Sequence, residues 1–219
     1  MTESSRLSAV RASYDAVAVD HARLLTGVLE AAPLDRAMLG AFAECVRGGG
    51  GGAVADLGCG PGGMTAYLNG LGVRAFGVDL SPAMVAVARR SYPGLRFEVG
   101  RMVPLDIADG VLGGVLAWHS TAHTPPGECP AVFTEFARVL APGGYALLAF
   151  EAGDGRLPDH ADGHQVDPAV HGTPPGLVAE RLAGAGLAEA ARLVREPGPT
   201  ETVPHGFILA RKPPTPGPA

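Results

Sequence analysis

The chain opens on apolar and aromatic positions at helical spacing. Leu7, Val10, Tyr14, Val17, His21, Leu24, Leu25 and Val28 fall near a 3.6-residue period, which predicts a helical segment over 7–31 in two pieces. Pro33 starts a second helix, to about Val46, with Leu34, Met38, Leu39, Phe42 and Val46 as its stripe. From residue 53 the pattern becomes short apolar runs alternating with amphipathic stretches. Strands are expected over Ala53–Leu57, Ala75–Val78, Leu95–Val99, Val111–Ala117 and Tyr145–Phe150, and helices over Gly63–Leu71, Pro82–Tyr92 and Pro130–Leu140. Short strands that are apolar throughout are those buried on both faces, so this order predicts a parallel sheet covered by helices on both sides. A helix over Leu177–Ala185 follows. Two last strands, near Glu189–Arg195 and His205–Arg211, flank EPGPTETVP and read as a hairpin.

Three stretches interrupt the rhythm. The run Gly48 to Gly52 reads as a slack connection rather than a phosphate cradle. Residues 151–175, rich in Pro and Gly, read as a lid-like insertion. The segment 212–219, KPPTPGPA, is expected to be a disordered tail. A single domain over 1–211 follows, with 1–47 as a helical cap.

Composition narrows the field. A chain of 219 residues that is 47% hydrophobic has enough core for one packed domain. The net charge is −5 and the basic residues are dispersed, which disfavours nucleic acid. Cys45, Cys59 and Cys129 lack metal-ligand spacing and read as buried thiols in a reducing compartment. No run approaches the roughly 20 apolar residues of a membrane span, and the N-terminus has no signal-peptide core. A soluble, cytoplasmic protein without a membrane partner is expected.

The strongest chemical signal is Val54-Ala-Asp-Leu-Gly-Cys-Gly-Pro-Gly-Gly63. A strand must turn sharply into a helix there, and Gly58 and Gly60 allow both the turn and a ligand lying on bare backbone. Gly58, Gly60 and Gly63 also match the dinucleotide fingerprint, a weak match on its own. Asp56, two residues before the first glycine, disfavours a diphosphate and welcomes a cationic amino acid end. Asp79 ends the next strand, where an acid accepts both ribose hydroxyls. It competes with Ser81 as cap of the following helix; Ser81 fits the cap better, leaving Asp79 to the ribose.

VADLGCGPGG, FGVDLSPAMVAVAR and EFARVLAPGGYALLAF together resemble the class I S-adenosylmethionine-dependent methyltransferases, specifically the small bacterial enzymes that act on metabolites. The similarity covers roughly residues 50–150. It implies an α/β, three-layer Rossmann-like sandwich with a seven-stranded, mostly parallel sheet and one antiparallel strand near the edge. It implies S-adenosyl-L-methionine as cofactor and S-adenosyl-L-homocysteine as product. By matching positions, Asp56, Gly58 and Gly60 line the methionine part, Asp79 holds the ribose, and Leu80 and Met84 flank the adenine. The sequence departs from the family at Gly100-Arg101-Met102, where Gly-Asp is frequent; Met102 is expected to cover the adenine edge instead. Leu112-Gly113 replaces a frequent Phe-Asp pair.

For the acceptor, the fourth strand ends in Ala117-Trp118-His119-Ser120, at the carboxyl edge where ligands bind. Trp118, the lone tryptophan, is counted with the cofactor site. His119 is the first candidate for a base or a substrate partner; the competing role is a loop residue bonded to backbone. His123 is read as a loop-bonding residue. Asp159, His160, Asp162, His164, Asp167 and His171 form a cluster without a known ligand template, so no metal is expected, and His164 is the second catalytic candidate. Tyr14 either contacts the methionine end or packs in the core.

The reading is methyl transfer to the oxygen, nitrogen or carbon of a small-molecule acceptor, with secondary metabolism as its setting and a homodimer as one option for assembly. The alternative is a non-methylating S-adenosylmethionine-binding protein on the same fold. A macromolecular acceptor and a nicotinamide oxidoreductase rank below both.

Overall fold

The computed structural model describes residues 3–156, 171–198 and 201–215. Helices α1 (Glu3–Leu24), α2 (Val28–Ala31) and α3 (Pro33–Gly48) precede β1 (Ala53–Leu57). Then come α4 (Gly63–Gly70), β2 (Arg74–Asp79), α5 (Pro82–Ser91), β3 (Phe97–Val99) and β4 (Leu112–Trp118). Next are α6 (Cys129–Val139) and β5 (Leu140–Glu151). A two-residue pair, β6 (Gly155–Arg156) and β7 (His171–Gly172), leads to α7 (Pro175–Gly184), β8 (Ala188–Arg195) and β9 (His205–Arg211).

Seven strands form one sheet in the order β3-β2-β1-β4-β5-β9-β8. Strands β1 to β5 pair in parallel, and β9 runs antiparallel to both β5 and β8. The closing hairpin thus places its second strand inside the sheet and its first at the edge, as expected for the doubly covered α/β fold. The reason for three layers is visible along β5. Ala146, Leu148 and Phe150 join one core with Phe133 and Phe136 of α6 and Leu182 of α7. Leu147 and Ala149 join the other, with Phe42 and Val46 of α3 and Leu68 of α4. Successive side chains point to opposite faces, so a strand apolar at every position needs a helix layer on each side.

The glycine run before β1 is not slack. A Cβ at Gly52 would lie 2.7 Å from Gly113 N, and one at Gly113 would lie 2.4 Å from Gly51 O. The two backbones cross in contact, which also explains why β4 begins Leu112-Gly113: an acid there would collide with the incoming chain. Gly51 N donates to Val46 O, so the run also closes the end of α3.

Of the cysteines, Cys59 and Cys129 are buried and Cys45 is only partly so. Lys212, placed by sequence in the tail, is anchored: its Nζ donates to Ala137 O and Leu140 O, both at 2.6 Å. No helix among the described residues is long and apolar enough to cross a membrane. Residues 157–170, with His160, His164, Asp159, Asp162 and Asp167, lie outside the described residues.

Candidate active site

The carboxyl ends of β1, β2, β4 and β5 open onto a cleft of about 1240 Å³. It is lined at one end by Asp56, Gly58, Gly60 and Asp79, and at the other by His119, Glu151 and His205. Leu80, Met84, Met102, Trp118 and Tyr14 also line it.

The first end follows from the β1–α4 turn. Gly58 has φ 74° and Gly60 φ 52°, both left-handed, and Gly58 N donates to Val78 O at 2.7 Å. A Cβ on Gly58 would lie 2.3 Å from Ser120 Cβ, so the position has neither the torsion nor the room for a side chain. Gly58→Ala is expected to cost about 1–2 kcal/mol from the backbone alone, with the clash added, and a thermal melt of the variant checks it.

Asp56 is fully buried. Its Oδ2 accepts from Thr65 Oγ1 at 2.6 Å, while its Oδ1 is buried with no hydrogen-bond partner. Burial above all, with the charge of Asp79 and against the hydrogen bonds of Thr65, pushes its carboxyl up to about 7. A carboxylate so placed could be completed by a cation: an ammonium at Oδ1 would supply the missing donor and offset the charge.

Asp79 differs from expectation. Ser81 is indeed the cap of α5, its Oγ accepting from Met84 N at 3.0 Å. Asp79 is nevertheless engaged: Oδ2 accepts from Gly60 N and Oδ1 from Ser81 N, each at 2.8 Å. Each oxygen retains further lone-pair capacity for a diol. The carboxylate therefore staples the glycine turn to α5 as well as facing the cleft.

Helix α1 forms a side wall through Arg6, Tyr14 and Asp15. Asp15 Oδ1 accepts from Ser81 Oγ at 2.6 Å and Ala83 N at 3.1 Å. Tyr14 Oη lies 2.9 Å from His123 Nε2, and Arg6 donates to His123 O at 3.1 Å and pairs with Glu128. His123 thus ties the loop after β4 to α1.

At the other end, His119 leaves β4 with φ 53°, a left-handed conformation costly for a residue with a Cβ. Its backbone N donates to Ala149 O at 2.9 Å. Its Nδ1 lies 2.9 Å from Glu151 Oε1. Burial by itself would raise the Glu151 carboxyl, but the charge and hydrogen bond of His119, with a smaller contribution from His205, hold it below the usual range. The ionised carboxylate can only accept, so the Nδ1 of His119 carries a proton in this pair. His205 lies beside it, ring centroids 4.6 Å apart and planes tilted by 55°. Trp118 packs on Phe207 at 5.4 Å and lines the cleft from the core side.

Glu151 and His205 were missed in the sequence. The rule that selected His119, a polar residue just past an apolar strand at the carboxyl edge, applies equally to Glu151. His205 begins an antiparallel strand, so its amino end lies on that same edge, paired with Glu151.

Residues 54–144 match the model of a methyltransferase domain. The chain is 36% identical over 142 residues to a trans-aconitate 2-methyltransferase of Methylobacterium nodulans, covering 60% of this chain and 48% of that protein. It is 32% identical over 96 residues to a demethylmenaquinone methyltransferase of Chlorobaculum parvum, covering 43% and 39%. The chain thus spans about half or less of these curated relatives. A crystal structure of a Methanosarcina mazei S-adenosylmethionine-dependent methyltransferase superposes with a TM-score of 0.66 at 21% identity, over 75% of this chain and 93% of the other. The matched segment contains the glycine turn, Asp56, Asp79 and the β5 turn, and the fold continues the likeness on either side. Over this segment the chain is similar in sequence to methyltransferase domains, and its fold is that of the S-adenosylmethionine-dependent methyltransferases.

Proposed function

We propose that the chain transfers a methyl group from S-adenosylmethionine to a small organic acceptor, with His119 as the base that takes the acceptor's proton. The observation that supports this most is one cleft with two unlike ends: a cation-seeking buried carboxylate beside a glycine turn, and a histidine oriented by a buried glutamate. Its volume exceeds the upper part of the range of about 300–1,000 Å³ usual for one small ligand, consistent with two occupants. Curated relatives whose names specify trans-aconitate and demethylmenaquinone support a small molecule as the acceptor.

Asp56 and the turn at Gly58 and Gly60 would hold the amino acid end, Asp79 the ribose, and Leu80, Met84 and Met102 the adenine. When bound, S-adenosylmethionine supplies a methyl carbon on a positive sulfur; the acceptor's lone pair forms the new bond, and the carbon–sulfur pair stays with sulfur as a neutral thioether. Neutral His119 takes the acceptor proton at Nε2, and Glu151 stabilises the resulting imidazolium across the Nδ1 bond. Helix α1 and the β4–α6 loop narrow the access of water. His164, in residues 157–170, is a second candidate to meet the acceptor.

Two measurements test the reading. Calorimetry should detect S-adenosylhomocysteine and no NAD; binding of NAD with no response to S-adenosylhomocysteine would refute it. Transfer of labelled methyl into a metabolite library should then identify acceptors. Cofactor binding with no transfer to any candidate would favour the non-methylating alternative.

The position of Asp56 adds a pH dependence. An ammonium ligand binds the ionised carboxylate, which exists in the free protein only above about 7. Affinity for S-adenosylhomocysteine should therefore be full above that value and fall as pH drops through it, with a proton released on binding in the falling range. Titrations in buffers of different ionisation heat measure that proton. A pH-independent affinity would show that Asp56 does not meet the amino group.

A further inference from the structure

The chain between α1 and α3 runs along the cleft from α5 to β8. At its start Ala22 of α1 packs with Met84 and Val87 of α5. At its end Asp35, in the first turn of α3, pairs with Arg195 of β8 at 2.7 Å. Arg36 clamps the segment by donating to Leu29 O at 2.8 Å and to Glu30 O. Leu24, Leu25 and Val28 of this strap line the same cleft as His119. Leu24 and Val28 are 50% exposed and Leu25 44%. Apolar residues scattered singly on a surface are ordinary, but three grouped along one cleft form a face that apolar matter covers favourably.

The charges at the β5–β9 end point the same way. Among the described residues, the arginine lining the cleft there is Arg195, and two carboxylates already share it: Asp35, and Glu201, whose Oε1 accepts from Nη2 at 2.7 Å. The lining arginines of α1, Arg6 and Arg23, pair with Glu128 and Asp20. Arg90 and Arg101 lie across the sheet, on α5 and just after β3, with β2, β1 and β4 between β3 and β5. Glu151 adds a third carboxylate, paired with His119. Burial above all holds His205 below its ordinary range, so near neutral pH it supplies no cation. A carboxylate entering beside Asp35, Glu151 and Glu201 would lose its water without gaining a positive partner of its own. We propose that the cleft takes a methyl acceptor with an apolar body and no carboxylate, the body lying against Leu24, Leu25 and Val28. This rests on the methyl-transfer reading for the molecule's role as acceptor; the apolar, anion-excluding character of the cleft stands without it.

Titration with 2-naphthol and 6-hydroxy-2-naphthoate, which share rings and a hydroxyl and differ by one carboxylate, decides. With S-adenosylhomocysteine bound, 2-naphthol should bind about tenfold or more tighter than the carboxylated probe, and tighter than phenol by a similar factor. Leu25→Gln combined with Val28→Gln, both at half-exposed positions, should lower 2-naphthol affinity by about threefold or more and leave phenol unmoved. Glu201→Gln keeps an acceptor for Gly198 N and leaves Arg195 with one carboxylate partner. It should narrow the gap by tightening the carboxylated probe several-fold. The proposal is overturned if the wild type binds both naphthols equally or binds no 2-naphthol. It is overturned as well if the double variant keeps its 2-naphthol affinity or Glu201→Gln leaves the gap as it was. A loss confined to S-adenosylhomocysteine makes the strap a cofactor cover, and a dimer dissolved by the double variant makes it a contact between copies; either overturns it too. If S-adenosylhomocysteine does not bind, the methyl-transfer reading falls alone, and the two naphthols, titrated without it, still judge the cleft.

Discussion

His119→Ala is expected to lower kcat by about 100-fold or more with an unchanged Kd for S-adenosylhomocysteine. The substitution removes the Nε2 lone pair and leaves Glu151 buried without its partner. It touches nothing at the Asp56–Asp79 end. The wild-type rate should carry an acidic limb in the histidine range, since only neutral His119 takes a proton. Glu151→Gln, which acts through His119, should keep some activity and move that limb to lower pH, because a neutral partner no longer favours the imidazolium. A structural role for Glu151 would lower stability without moving the limb. If His119→Ala turns over at the wild-type rate, the acceptor reacts through positioning alone.

Asp79→Ala is expected to weaken S-adenosylhomocysteine binding by about 1.5–3 kcal/mol, the scale of charge-assisted hydrogen bonds. Two losses combine. The ribose loses its acceptor, and Gly60 N and Ser81 N lose theirs, loosening the glycine turn against α5. Asp79→Asn separates them: a neutral amide oxygen can still accept from one backbone N–H, so the turn should be better kept than in Asp79→Ala. Calorimetry with both variants reads the difference, and an unchanged Kd in Asp79→Ala would confine Asp79 to the turn.

The parallel sheet was legible because its central strands are short, mostly apolar runs, and because α5 and α6 carry their own start signals. The glycine turn was legible because its torsions demand glycine. Long-range pairing was not. Asp15 meets Ser81 across 66 positions, and Arg195 meets Asp35 across 160, and no local pattern marks either pair. Glu151 and His205 are neighbours only because β9 enters the sheet next to β5. The run Gly48 to Gly52 misled for the same reason: its requirement comes from Gly113, far along the chain, and composition alone reads it as looseness. Asp79 shows a subtler limit. Cap and ligand roles were weighed as exclusive, but a carboxylate has enough lone pairs for both.

Helix α1 touches both halves of the cleft, with Asp15 on the α5 terminus and Tyr14 and Arg6 on the loop after β4. Whatever ordering free energy its docking costs is shared between the two occupants. The first to bind meets that cost, and the second finds the wall already in place. By reciprocity each molecule should raise the affinity of the other by the same factor. Kinetically, departure of the spent cofactor then waits on release of a single helix, held by these polar bonds and by an apolar seam in which Ala18 packs with Met84 and Val87 of α5. Turnover should quicken with moderate salt when release is limiting, and slow when chemistry is.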